Sequence, residues 1–295
     1  MSLTNHAAAE ALAGLNECFD EVEQVAPWRW RCVTRDDGRL PFSASFNGGF
    51  LRLVAEPHLA SGMEPAIERA TQLNARFAGG VKALIDPRGQ QLKLCTDIVV
   101  LDRSQARDRL AWAAQSICET VDTLASDAAI GIEHQSIAKI PSSDLGASLR
   151  ETSWEFAECA PDEWSVALDT ESAPPAKVRI QETGILASIE LARVSLPVMA
   201  PRRALALFLL TTCWMLRFVR ASACDSETQQ VFAFEVVLPP APAPEELDHA
   251  LASLSVAYCA CAREAEVLLD KTAAGCYLAL CDPSLNCQPL NRKEN

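Results

Sequence analysis

At 295 residues the chain is long for one core, and a prior of about 150 residues per domain points to two. Hydrophobic residues at 49% and charged residues at 22% are ordinary globular values, which exclude wholesale disorder. The net charge of −13 repels phosphate backbones and anionic lipid, so neither nucleic acid nor a membrane surface is an expected partner.

Taken in chain order, Asn5 to Val25 carries Ala8, Leu12, Leu15, Phe19 and Val22 at helical spacing, and Pro27 ends it. Three strand-like runs follow, Trp28 to Thr34, Leu40 to Phe46 and Phe50 to Glu56. They are separated by the turn signals Asp36-Asp37-Gly38 and Asn47-Gly48-Gly49. A second helix is predicted over Gly62 to Ala78. A hairpin comes next, Val81 to Ile85 and Gln91 to Leu101, turned at Asp86-Pro87-Arg88-Gly89, and a long helix starts at Ser104.

The second half repeats this order. Leu145, Leu149, Thr152 and Phe156 outline a short helix behind the caps Ser142 and Ser143. Strand-like runs follow at Trp164 to Asp169, Lys177 to Glu182 and Ile185 to Arg193. Pro201 opens an apolar helix, Arg217 to Ala223 and Gln230 to Leu238 form a hairpin, and Pro244-Glu245-Glu246 opens the last helix. The halves register at a shift of 137, as Leu12 with Leu149, Phe19 with Phe156 and Leu110 with Leu247. A near-constant shift is what a duplicated domain leaves. The expected fold is α+β, two tandem α-β-β-β-α-β-β-α modules, each an antiparallel sheet packed by helices. The expected boundaries are 1–127, a packed linker 128–141 made apolar by Ile130, Ile132, Ile137 and Ile140, a second module 142–270, and a cysteine-containing tail 271–295.

Motifs for phosphate cradles, nucleophile elbows and zinc-binding helices are absent, so no catalytic residue and no cofactor is expected. The histidines His6, His58, His134 and His249 are scattered, and none has a nucleophile beside it in sequence. Asp36-Asp37 suits a turn, and Glu245-Glu246 suits the first turn of a helix, where negative charge meets the dipole. Cys276, Cys281 and Cys287 lack the close pairs that structural zinc needs, so no metal is expected. With no basic-then-apolar leader in Met1 to Gly14, the twelve cysteines read as reduced thiols of a cytoplasmic protein. Trp28, Trp30 and Trp164 open the first strands of the modules and read as core or edge packing.

The order α-β-β-β-α-β-β-α in acidic modules, roughly Asn5 to Asp127 and Ser142 to Asp270, resembles the fold of bacterial type III secretion chaperones. That resemblance implies a non-enzymatic protein that binds an extended segment of a client protein and usually works as a homodimer. Carrying two modules in one chain, with an extra tail, departs from it. The competing class is an enzyme whose site forms in a cleft between the two repeats.

Ala204 to Leu216 is apolar in nearly every direction and is flanked by Arg202, Arg203, Arg217 and Arg220. It falls short of the ~20 residues that span a bilayer, so both its sides need protein cover. In the resembled fold the corresponding helix commonly pairs two subunits. Leu205, Phe208, Leu209 and Trp214 are therefore the expected contact between repeats, giving a monomeric pseudo-dimer in one chain, or alternatively a homodimer.

Overall fold

The computed structural model describes residues 3–34, 40–56, 63–75, 77, 79–86, 91–100, 103–125, 142–168, 173–181 and 184–281. The turns at 36–38 and 87–89, the linker 128–141, His58, His134 and the tail past Cys281 with Cys287 lie outside the described residues.

The first module runs α1 (Leu3–Cys18), β1 (Glu21–Ala26), β2 (Arg29–Val33), β3 (Pro41–Asn47), β4 (Phe50–Ala55), α2 (Met63–Asn74), β5 (Lys82–Asp86), β6 (Gln91–Val99) and α3 (Arg103–Ala125). The second runs α4 (Ser142–Arg150), β7 (Phe156–Ala160), β8 (Glu163–Val166), β9 (Ala176–Gln181), β10 (Gly184–Ser195), α5 (Met199–Thr212), β11 (Arg220–Asp225), β12 (Gln229–Leu238) and α6 (Pro244–Val267). A final helix, α7 (Lys271–Cys281), occupies the start of the expected tail. Each module is an antiparallel six-stranded sheet flanked by helices, and the two sheets share one strand order, β1-β2-β3-β4-β6-β5 and β7-β8-β9-β10-β12-β11.

Each module has one strand more than the expected order. The predicted first helix ends at Cys18 and not at Val25, because Glu21–Ala26 pairs with β2 as β1. Phe156, expected on a helix, opens β7 against β8. The order is thus α-β-β-β-β-α-β-β-α. A single apolar residue per turn fits the helical and the strand period alike, and pairing with the neighbouring strand decides between them.

Local chemistry explains the rest. Gly48 and Gly49, at φ 60° and 85°, make the two-residue turn of the β3–β4 hairpin, which needs positive φ at both positions. Strands alternate, as in β3, where Phe42, Ala44 and Phe46 point into the core and Pro41, Ser43 and Asn47 do not. Pro201 sits in the first turn of α5, two residues in from Met199, where its missing N–H breaks no intrahelical bond. Leu15, Phe19, Phe42, Leu51, Leu53 and Leu110 anchor one core. Leu149, Val178, Phe232, Phe234, Leu247 and Leu254 anchor the other. Trp30 and Trp164 are buried in them, while Trp28 stays 43% exposed. Among the described residues no helix is long and apolar enough to cross a membrane.

Candidate functional site

The modules meet through their equivalent parts. α2 packs against β11, α5 packs against β5, and α2 and α5 touch each other. Side chains change sides: Leu210 of α5 lies in the core of the first module, and Leu84 and Cys95 lie in that of the second. Two loops matter most, residues 75–81 after α2 and residues 213–219 after α5.

Three buried charges stand in β4, β5 and β6 of the first module: Arg52 on β4, Lys82 at the start of β5 and Asp97 on β6. The register sets Arg52 directly opposite Asp97. Arg52 Nε donates to Asp97 Oδ1 at 2.7 Å and Nη2 to Oδ2 at 3.1 Å, and Lys82 Nζ lies 2.6 Å from Oδ2. The Lys82 and Asp97 side chains are fully buried and Arg52 nearly so. The second module closes the cluster with backbone groups. The Trp214 carbonyl accepts from Arg52 Nη1 at 2.5 Å, and the Leu216 carbonyl accepts from Arg52 Nη2 at 2.7 Å and Lys82 Nζ at 3.0 Å. The Phe218 N–H donates to Asp97 Oδ2 at 2.9 Å, and Arg217 Nη1 reaches Oδ1 at 3.5 Å. Burial alone would raise the Asp97 pKa, but the Lys82 and Arg52 cations outweigh it and hold the carboxyl well below the usual range.

The second module returns the contact. Arg220, at the start of β11, pairs with Glu235 of β12 at 3.0 Å, and both are buried. Arg220 Nη1 then donates across to the Phe77 carbonyl at 3.0 Å and the Val81 carbonyl at 3.2 Å, in the loop after α2. Burial pushes the Arg220 guanidinium down, and Glu235 opposes the push. Each module therefore sends a buried cation into the loop of the other.

Further bonds line the seam. Asn74 Nδ2, at the end of α2, donates to the Ala221 carbonyl at 2.8 Å while its Oδ1 accepts from Ala83 N. Arg109 of α3 grips Glu246 of α6 with two bonds of 3.0 and 2.9 Å and also donates to the Ala241 carbonyl. Glu246 also accepts the Ala243 N–H, so this carboxylate holds its own helix start and the other module at once. Phe218 has φ 58°, a strained conformation for a bulky residue. Its ring packs edge-on against Phe50 of the first module, and the Arg217 guanidinium lies over the Phe50 ring at 5.8 Å. His249 also stacks edge-on against Phe50, with Nδ1 2.6 Å from the Glu245 carbonyl.

The four residues expected at this contact are only partly brought together. Leu205 and Leu209 are buried within the second core, and Phe208 packs edge-on against Tyr277 of α7, with 6.2 Å between ring centroids. Trp214 reaches the first module through its carbonyl. Leu207 and Leu210, which were not singled out, are the α5 side chains that pack into the first core. Of the charged residues, Arg217 and Arg220 were read only as flanks of the apolar helix and Glu246 only as a first-turn carboxylate, and Arg52, Lys82, Asp97, Arg109 and Glu235 were not read at all. Their signal was present as single charges inside apolar runs, Val81-Lys82-Ala83-Leu84 and Phe234-Glu235-Val236-Val237.

The chemistry open to this site is limited. Every charge in it is held by a countercharge, a carbonyl or an amide. Burial pushes the thiols of Cys32, Cys213 and Cys261 up to about 12, which leaves them protonated at neutral pH. None of the described cysteines forms a disulfide, and no described group of three His, Cys, Asp or Glu gathers to hold a metal. The site is a polar lock between two modules. No protein-family model and no curated protein matches the chain.

Proposed function

We propose that this chain is a cytoplasmic, non-enzymatic protein-binding module that holds an extended segment of a client protein, as the resemblance to type III secretion chaperones implies. The carrying observation is the fate of the sheet edges. β5 and β11 are spent at the seam, whereas β1 and β7 end their sheets with no further described strand beside them. An open edge offers a row of backbone donors and acceptors to an extended segment. The reciprocal seam supports a further step, that a duplicated module takes the place of a homodimer, since self-complementary contact between equivalent surfaces is what a two-fold dimer makes. Four strands before the middle helix, where the resembled order has three, make β1 and β7 additions to that pattern. The non-enzymatic reading rests on a lock whose buried charges, Arg52, Lys82, Asp97, Arg220 and Glu235, are paired with one another and with backbone groups across the seam.

The test is capture of partners by the full chain from its native host, followed by hydrogen exchange of the purified complex. Slowed amide exchange confined to 21–26 or 156–160, together with loss of capture when the client segment is deleted, is expected. A captured small-molecule turnover with no protected edge would overturn the reading.

A further inference from the structure

α5 has three sides to cover, and they are covered unequally. Leu205 and Leu209 lie in the core of the second module, and Leu207 and Leu210 pack into that of the first. The third side carries Phe208, whose ring meets Tyr277 of α7. Among the described residues the first module has no counterpart of α7. Its middle helix, α2, mixes polar residues among its apolar ones, as a helix with one wet side does. The cover that α7 gives is a weak one. It has 11 residues, fewer than the roughly 12–15 that a helix needs to hold itself in water. Ala274 is its one fully buried residue, while Leu280 stands 78% exposed. Gly275, near its middle, has nothing within 4 Å of where a Cβ would sit. No close approach therefore explains a glycine that weakens a helix relative to alanine. α7 hangs from α6 by the joint 268–270, in which Leu268 is buried and Leu269 and Asp270 are exposed. Asp270 Oδ1 accepts the Thr272 and Ala273 N–H groups, both at 2.9 Å, which keeps the helix ready to form.

We propose that α7 is a detachable strap over a second interaction surface. It opens about the joint 268–270 while both modules stay folded, and the side of α5 around Phe208 then takes a helix of another protein. What sits there now defines the occupant: a short helix of small residues with an aromatic ring in the place of Tyr277 and a leucine after it. An apolar ring left in water forgoes its burial, so an uncovered Phe208 favours whichever helix covers it best. α7 holds the place because its joint keeps it close to α5. Its glycine leaves room for a better helix former to displace it. This surface is separate from the sheet edges β1 and β7, so it goes beyond the client-binding reading and does not depend on it.

The probe is a labelled peptide with the sequence of residues 270–281 carrying Gly275→Ala, added to the full chain and followed by fluorescence anisotropy. Native-state hydrogen exchange of the chain alone should show 271–281 opening about a hundredfold more often than β10 and β12. The peptide is expected to bind, and to quicken exchange of the chain's own 271–281 as it takes that place. A second peptide with Tyr277→Ser added is expected not to bind. Gly275→Ala in the chain itself should slow exchange over 271–281 and weaken peptide binding, each about fivefold, because the strap then matches the probe. Protection of 271–281 equal to that of β10 and β12, no binding of the first peptide, or equal binding to both chains would overturn the proposal. A concentration-dependent dimer in sedimentation, with protection of 271–281 rising alongside it, would also overturn it and assign the place to α7 of a second copy. None of these outcomes bears on protection at 21–26 or 156–160, where the client-binding reading is tested.

Discussion

Each module keeps a buried base at the start of the strand after its middle helix and a buried acid on the next strand, Lys82 with Asp97 and Arg220 with Glu235. The clusters around them differ. In the first module Arg52 stands opposite Asp97, so two buried cations share one carboxylate and Arg217 approaches from the other module. In the second module the residue opposite Glu235 on the neighbouring strand is Ser188, and Arg220 has Glu235 to itself. An excess buried cation is costly unless acceptors surround it, and the first cluster finds them in the Trp214 and Leu216 carbonyls of the other module. The first cluster therefore depends on the second module for its closure. The Arg220–Glu235 pair is complete within its own module, though Arg220 also bonds two carbonyls across the seam. The comparison teaches where the lock is weakest: at the shared carboxylate.

The largest effect is expected from Asp97→Asn. It strands Arg52 and Lys82 in a dry seam, and breaking a buried pair from one side costs about 3–5 kcal/mol, measurable by urea denaturation. The same group gives the seam an acid dependence. Its folded pKa lies below the unfolded value of ~3.9, so its contribution is complete above about pH 5 and is lost as pH falls toward the folded value. The stability gap between the native chain and Asp97→Asn should therefore be constant near neutrality and narrow in acid. A gap that stayed constant down to pH 3 would refute this role for Asp97.

The middle-sized effect separates the clusters directly. Arg220→Met leaves Glu235 buried without its cation and takes the donor from the Phe77 and Val81 carbonyls, a loss of about 3 kcal/mol. Lys82→Met leaves Asp97 still held by both Arg52 bonds and leaves the Leu216 carbonyl its Arg52 donor, so a loss nearer ~1 kcal/mol is expected. Equal losses for the two variants would mean that sharing of the carboxylate gives the first cluster no redundancy.

Much of this architecture was legible in the residues. Strand-like runs bounded by turn signals marked β2 through β6 and β8 through β12; β3 and β9 alternate with one face in a core, while β5 and β11 are buried along most of their length. β1 and β7 escaped for the opposite reason, being edge strands with water on most sides and little alternation to read. At the seam, apolarity of α5 showed that both its sides need cover. Periodicity along an all-apolar helix carries no mark of which side meets which neighbour, so Leu210 was passed over for Phe208. The lone charges Arg52, Lys82 and Asp97 were visible in apolar runs. They pair with one another, and the groups that close the cluster, the Trp214 and Leu216 carbonyls and the Phe218 N–H, lie more than a hundred residues away, which no local pattern encodes.

The smallest effect sets the two sides of α5 against each other. Phe208 is half-buried and leans edge-on against Tyr277, so it ties α7 to α5. An aromatic pair of this kind contributes about 0.5–1.5 kcal/mol beyond its buried area, and a half-buried ring forfeits less than a core phenylalanine. Phe208→Ala is thus expected to cost about 1–2 kcal/mol, with the loss local to α7: amide exchange should quicken over 271–281 while the loops 75–81 and 213–219 keep their protection. Leu210→Ala, on the side that enters the first core, should quicken those loops and leave α7 largely as it was. The contrast holds because one helix serves two interfaces through different side chains, and a void on one side removes contacts only there. If Phe208→Ala loosened the seam loops as much as α7, the original expectation that Phe208 joins the modules would regain its ground, and the division of α5 into two independent faces would be wrong.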